Sequence, residues 1–120
     1  MPAHKVNLLI LQGETFEPIF HWKTGSDPAT ATAVDLTDCE ARAHFRASVE
    51  AEDFLLELTD ANGRIVLGTT DGSIQLLLSA TETAAIEWRE AVYDLEIEFP
   101  SGRVVRRMEG KVKVSPEVTR

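Results

Sequence analysis

Three carboxylates alternate along one short segment of the chain and could, by type and spacing, carry out acid–base chemistry. Asp94, Glu96 and Glu98 occupy every second position of "VYDLEIEF". A pair of carboxylates can protonate a leaving group and activate water, as in glycoside cleavage. Period-two spacing also places all three on one face of a β-strand, and the arginine-rich segment "RVVRR" follows after a turn. We therefore interpret them as a solvated charge ladder.

Histidine is the side chain type that most often binds metal ions. His4, His21 and His44 lie on three separate predicted elements, and no two of them have i, i+4 spacing. A metal site needs at least three converging protein ligands. We therefore predict no metal site.

Cys39 is the only cysteine, so the chain cannot form an internal disulfide. It shares the parity of Ala41, Ala43 and Phe45, which predicts that it lies on the inward face of a strand. A reactive thiol needs an electropositive, accessible environment. We predict a buried and unreactive thiol.

The known catalytic and phosphate-binding motifs are missing from the sequence. It contains no glycine-rich phosphate loop, no G-x-S-x-G elbow and no H-E-x-x-H helix. The prediction is a protein without catalytic residues or a cofactor, and not an enzyme.

The sequence predicts that these residues lie on short β-strands. Apolar runs are separated by turn dipeptides, among them Asn62-Gly63 and Asp71-Gly72, which predict an antiparallel meander. Pro18 predicts an edge strand or a bulge, since proline has no N–H to donate.

The last third of the chain predicts a hairpin. "AVYDLEIEF" and the returning "RVVRRMEGKVKV" flank the turn "PSG", and an even loop places Glu96 opposite Arg107. Upstream, Ser79 and Glu82 have the spacing of a capping box, which predicts one short helix over residues 80–87.

Seven or eight short strands and one helix predict an all-β fold. We expect an antiparallel β-sandwich, immunoglobulin-like in its layers, with a small barrel as the alternative. The 120 residues fit a single domain, residues 1–120.

Composition restricts the partners. The formal net charge is −8 and the isoelectric point is near 4.8, so the protein repels phosphate backbones and anionic lipids. We expect neither nucleic acid nor membrane partners. The first residues lack the apolar stretch of a signal peptide, so synthesis and folding in the cytoplasm are expected.

Two regions stand out as candidate protein interfaces. Trp88 follows the predicted helix among charged neighbours and could anchor a partner. Ser115-Pro116 ends the last strand and leaves a short tail. The predicted interface residues are Trp88, Glu117, Val118, Thr119 and Arg120.

Four phrases in chain order resemble structural proteins of tailed bacteriophages. They are "LILQGETFEPIFHW", "VDLTDCEARAHFR", "DGSIQLLLSATETAAI" and "VYDLEIEFPSGRVVRRMEGKVKVSPEVTR". They are similar to virion proteins of the tail, baseplate or collar, and to immunoglobulin-like N-terminal modules of baseplate adaptors. Asp38 stands where that pattern has a glycine after D-L-T. The resemblance implies a virion component present in many copies, a homo-oligomer that contacts other virion proteins.

Other functions remain open for such a domain. It could be a carbohydrate- or receptor-binding module, or a capsid decoration protein. For an assembly role, we expect joints at two edge strands, residues 5–12 and the "KVKV" arm, and at the loop 23–33.

Overall fold

The computed structural model describes residues 4–25 and 29–119, and this part of the chain forms eleven strands and one helix. The strands are β1 (His4–Lys5), β2 (Leu8–Leu11), β3 (Ile19–His21), β4 (Lys23–Thr24), β5 (Thr32–Ala33), β6 (Glu40–Arg46), β7 (Leu56–Thr59), β8 (Ile65–Leu67), β9 (Ser73–Leu76), β10 (Glu90–Glu98) and β11 (Val104–Ser115). Helix α1 spans Ala80–Ala84.

Two sheets face each other. The large sheet has the order β1-β11-β10-β6-β7, and β2 also pairs with β11; the small sheet has the order β3-β9-β8. Strands β4 and β5 form a separate two-stranded ribbon within the predicted loop. The predicted all-β, immunoglobulin-like sandwich is confirmed.

A single hydrophobic core lies between the sheets. Alternate side chains of both sheets belong to one buried cluster, as expected when two half-apolar sheets cover each other. The largest fully buried side chains are Phe45, Ile10, Leu36, Leu58, Ile65, Ile74, Leu76, Leu78, Leu95, Ile97, Met108 and Val112.

Strand β10 is the centre of the large sheet. It pairs antiparallel with β6 on one side and β11 on the other. Tyr93, Leu95 and Ile97 point into the core, as the alternation predicts, and the Phe45 and Tyr93 rings meet edge to face at 5.5 Å. The predicted terminal hairpin is confirmed.

The first strand pairs with the last one in parallel, which the sequence did not predict. Both β1 and β2 run parallel to β11. Between them, the Tyr93 hydroxyl donates to the Val6 carbonyl at 2.7 Å, and the Asn7 side chain accepts from the Lys111 N–H at 3.0 Å. A Cβ on Gly110 would lie 2.3 Å from the Val6 carbonyl oxygen. Glycine there allows the close approach of the first segment.

The meander prediction is correct for β8 and β9 and wrong for β7 and β8. β8 pairs antiparallel with β9, but β7 pairs with β6 in the large sheet. The turn at Asn62-Gly63 exists, with Gly63 at φ +79°. The Asn62 side chain accepts from the N–H groups of Thr59 and Arg64. These bonds shape the turn, and after it the chain enters the small sheet instead of returning to pair with β7.

The predicted pairing of Glu96 with Arg107 is wrong by one residue. A β-bulge follows Leu95, so Glu96 lies opposite Arg106 and not Arg107. The extra residue reverses the side-chain parity of β11. Arg107 consequently lies over the ring of Trp22.

The helix is shorter than the predicted range 80–87 and ends at Ala84. Its predicted capping box is present: Glu82 N–H donates to the Ser79 hydroxyl, and Ser79 N–H donates to the Glu82 carboxylate. After the C-cap residue Ala85, Ile86 is buried in the core. No helix in the described ranges is long and apolar enough to cross a membrane.

Candidate assembly surfaces

The outer edge of β2, which we call the β2 edge, is apolar and open. Leu8 and Ile10 point into the core, while Leu9 and Leu11 are 58% and 41% exposed. β2 hydrogen-bonds to β11 on one side, and no described strand covers the other.

The backbone of the β2 edge is oriented for further pairing. Val6 N–H donates to Glu109 O, and Gln12 N–H donates to Ser115 O. In a parallel strand, the N–H and C=O of one residue point to the same side, and successive residues alternate. Even-numbered residues therefore face β11, so the N–H and C=O of Leu9 point outward.

Edge strands β3 and β7 are less suited to strand addition. Strand β3 follows Pro18, which confirms the predicted edge position and removes a donor there. Strand β7 carries the acidic side chain of Glu57, which contacts His44, and charged residues on an edge strand oppose pairing with another chain. The "KVKV" arm, predicted as an edge, is not one, because β10 and β2 enclose it on both sides.

The side chain of Gln12 joins three segments just after β2. Its Nε2 donates to Ala84 O at 3.2 Å and to Ile86 O at 3.0 Å, and its Oε1 accepts from Glu117 N–H at 2.9 Å. Nearby, buried Thr83 accepts from Gly13 N–H and donates its hydroxyl to a backbone carbonyl. We call these three bonds of Gln12 the Gln12 bridge.

The Gln12 bridge holds only the first residue of the predicted tail interface. Glu117 is half-buried and held by Gln12. Val118 is 93% exposed and Thr119 is exposed, while Arg120 lies outside the described residues. Sequence reasoning missed Gln12, because its partners lie far away in the sequence.

Trp88, the other predicted interface residue, is half-buried. Its ring packs against the core and meets Phe45 edge to face, with centroids 6.4 Å apart. Part of the indole remains at the surface. Its role as an interface anchor stays a prediction.

The predicted charge ladder is present on the outer face of the large sheet. Arg42 binds Glu96 and Glu98, each at 3.0 Å, and Arg106 lies 3.5 Å from Asp94. This face borders an open groove of about 710 Å³. Each of the three carboxylates forms an ion pair with an arginine, and each is partly exposed to solvent. They are therefore surface ion pairs.

His44 is bound from both sides at the same face. Its Nε2 lies 2.8 Å from the Glu57 carboxylate, and its Nδ1 lies 3.1 Å from an Arg46 nitrogen. Arginine can only donate, so Nδ1 accepts and Nε2 carries the proton. Within the described residues, no group of three or more histidine, cysteine or acidic side chains is arranged to hold a metal ion.

Cys39 lies at the edge of the core, with 9% of its surface exposed. Desolvation, followed by the charges of Asp35 and Asp38, raises the pKa of its thiol. Both effects oppose formation of the thiolate, so the predicted unreactive thiol is consistent with this geometry.

Comparisons with known proteins identify no family for the chain. No protein-family model matches it, and no curated protein matches it. Among solved structures, the extracellular domains 3–5 of Drosophila OTK are similar over 94% of this chain, with 12% identity and a TM-score of 0.39. The chain spans about a third of that structure's length, 34%. At this TM-score the likeness carries no argument about function.

Proposed function

We propose that the chain is a non-enzymatic structural module of a tailed-phage virion, assembled in several copies in the tail, baseplate or collar. The sequence resemblance supplies the virion setting. The observation that carries the assembly role is the β2 edge, where exposed Leu9 and Leu11 flank outward backbone groups. Strand addition at such an edge is a common way to join protein chains.

A second copy of the chain fits the β2 edge in antiparallel orientation. The basic residues His4 and Lys5 form β1, which precedes β2 along the same side of β11, and exposed Glu14 follows the end of β2. Antiparallel pairing of two identical edges brings each basic end beside the acidic end of the other copy. It also forms an isologous contact that closes with twofold symmetry. Parallel pairing would place like charges together.

The joint is tested by measuring the oligomeric state. We expect the molar mass from light scattering to rise with concentration, and the radius of gyration to increase above the 15.0 Å of one chain. The Leu9→Lys variant should remain a monomer, because a charge on an edge strand opposes pairing.

Val66→Lys is the matched control. Val66 is 45% exposed on the outer face of the small sheet, so this variant should associate like the wild type. A wild-type chain that stays monomeric at about 1 mM, where even weak association is populated, would contradict the proposed joint.

Virion membership needs a separate experiment. Phage particles purified from a culture that encodes the chain should contain it at a fixed ratio to the major tail or baseplate proteins, as measured by mass spectrometry. Its absence from intact particles would overturn the virion proposal while leaving the joint at β2 intact.

A carbohydrate-binding function has less support. Sugar-binding faces use exposed aromatic rings as stacking platforms. Of the eight aromatic side chains, all within the described ranges, Phe54 is the one with an exposed side chain. Its ring packs against His44 at 4.8 Å.

A further inference from the structure

Two arginines lie on two contacting aromatic rings at the end of the sandwich where β10 turns into β11. The Arg107 guanidinium lies 5.1 Å from the centroid of the Trp22 ring, and the Arg103 guanidinium lies 5.4 Å from that of Phe99. The two rings are 5.9 Å apart. We call these four residues the arginine–aromatic cluster.

The arginines of this cluster differ from others in the protein. Arg42, Arg64 and Arg106 each bind at least one carboxylate. Arg103 and Arg107 form no ion pair with a carboxylate of the described residues. Arg46 and Arg89 also lack a carboxylate partner in the described part of the chain, but their guanidinium groups donate to backbone carbonyls. Each guanidinium group lies over one ring, and a guanidinium group in such a position can still donate its N–H groups to a ligand.

Arg107 is half-buried, which makes the missing counterion more significant. Burial lowers its pKa, so the protein loses part of the solvation of this cation without an ion pair in return. The β-bulge after Leu95 directs it to this position. Bulges often redirect a side chain at a functional site.

We propose that the arginine–aromatic cluster binds the carboxylates of an acidic segment of a partner protein. Guanidinium groups bind carboxylates through paired, charge-assisted hydrogen bonds. A short acidic segment suits two arginines, whereas a long polyanion is repelled by the net charge of −8. The site lies on other residues than the β2 edge and does not depend on the proposed function.

The test follows the side-chain NMR signals of the native chain during titration with peptides. The acetylated, amidated tetraglutamate peptide should shift the Trp22 indole and Arg107 Nε–H signals in a saturable way. The tetraglutamine peptide should not. Inorganic phosphate is titrated in parallel; affinity equal to or above that for tetraglutamate would overturn the assignment to carboxylates.

Variants connect the signal to the cluster. Arg107→Gln should weaken tetraglutamate binding at least about tenfold, the equivalent of one charge-assisted hydrogen bond. Arg89→Gln removes the same charge from exposed Arg89, whose guanidinium donates to the neighbouring Trp88 carbonyl, and should bind within about twofold of the wild type.

Exposed Arg103 provides a second route if Arg107→Gln fails to fold. Arg103→Gln should also weaken binding, and by more than Arg89→Gln. Absence of any saturable shift in the wild type, or equal affinities of the Arg103 and Arg89 variants, would overturn the proposal.

Discussion

Asp38 shows how one residue sets the direction of the chain before β6. It is the one described non-glycine residue with positive φ, at +60°. The left-handed conformation is costly for residues with a Cβ, although aspartate tolerates it better than most. A glycine at this position would adopt the same conformation without that cost.

We therefore expect Asp38→Ala to lose about 1 kcal/mol of unfolding free energy relative to Asp38→Gly. Both variants remove the same charge, so the comparison isolates backbone conformation. Urea unfolding followed by circular dichroism measures the difference. Equal stabilities would mean that Asp38 is not left-handed in solution.

Residue-scale features were the most predictable from sequence. The inward parity of Cys39 and Phe45 and the turn glycine Gly63 follow from period-two alternation and turn chemistry, which are local properties. The orientation of Arg107 did not follow, because a bulge depends on how two strands fit each other and leaves little trace in either strand alone.

Helix α1 and strand β2 each have side-chain hydrogen bonds at one end, the capping box and the Gln12 bridge. The capping box of α1 was predictable, since Ser79 and Glu82 lie three positions apart. The parallel pairing of β2 with β11 was not, because the two segments are about a hundred residues apart and their local pattern does not specify a partner. The Gln12 bridge depends on that pairing and was missed with it.

The capping box makes the stability of the protein dependent on pH. The Ser79 N–H, helped by Arg64, lowers the pKa of Glu82 from its ordinary value of 4.5. A lowered folded-state pKa gives stability that is present above the unfolded value and lost as pH falls through the folded one. The stability difference between wild type and Glu82→Gln should therefore be constant near neutral pH and shrink below about pH 4.5. Denaturant unfolding at several pH values measures it; a difference that grows toward acid pH would contradict this cause.

The Gln12 bridge joins the end of β2 to Glu117, so we expect a substitution of Gln12 to affect both. Gln12→Ala should cost about 1–2 kcal/mol of unfolding free energy, because it removes three hydrogen bonds to backbone groups. Amide exchange at Glu117 should become faster in the same variant. Gln75→Ala, which removes one weaker surface bond at 3.3 Å, should leave the exchange of Glu117 unchanged. Unchanged exchange in the Gln12 variant would show that Glu117 is held by other contacts.

At the scale of the whole molecule, the two-layer fold and the single core could be predicted. Frequent turns and alternating apolar residues allow few other arrangements for 120 residues. The division of strands between the sheets could not be predicted, as the crossing at Asn62-Gly63 illustrates: the same turn sequence serves a hairpin or a crossover, and packing decides between them. The open β2 edge is thus a property of the assembled fold.

The parallel pairing of β1 and β2 with β11 also determines how the domain responds to mechanical tension. Force applied at His4 and Ser115 slides these strands past each other, so the bonds from Val6–Glu109 to Gln12–Ser115 bear the load together. Force applied at the paired residues Glu90 and Lys113 instead opens one antiparallel bond pair after another. Single-molecule pulling through cysteine handles, in a Cys39→Ala background, should give a clearly higher rupture force for the first geometry. The domain would then transmit tension along its first and last strands.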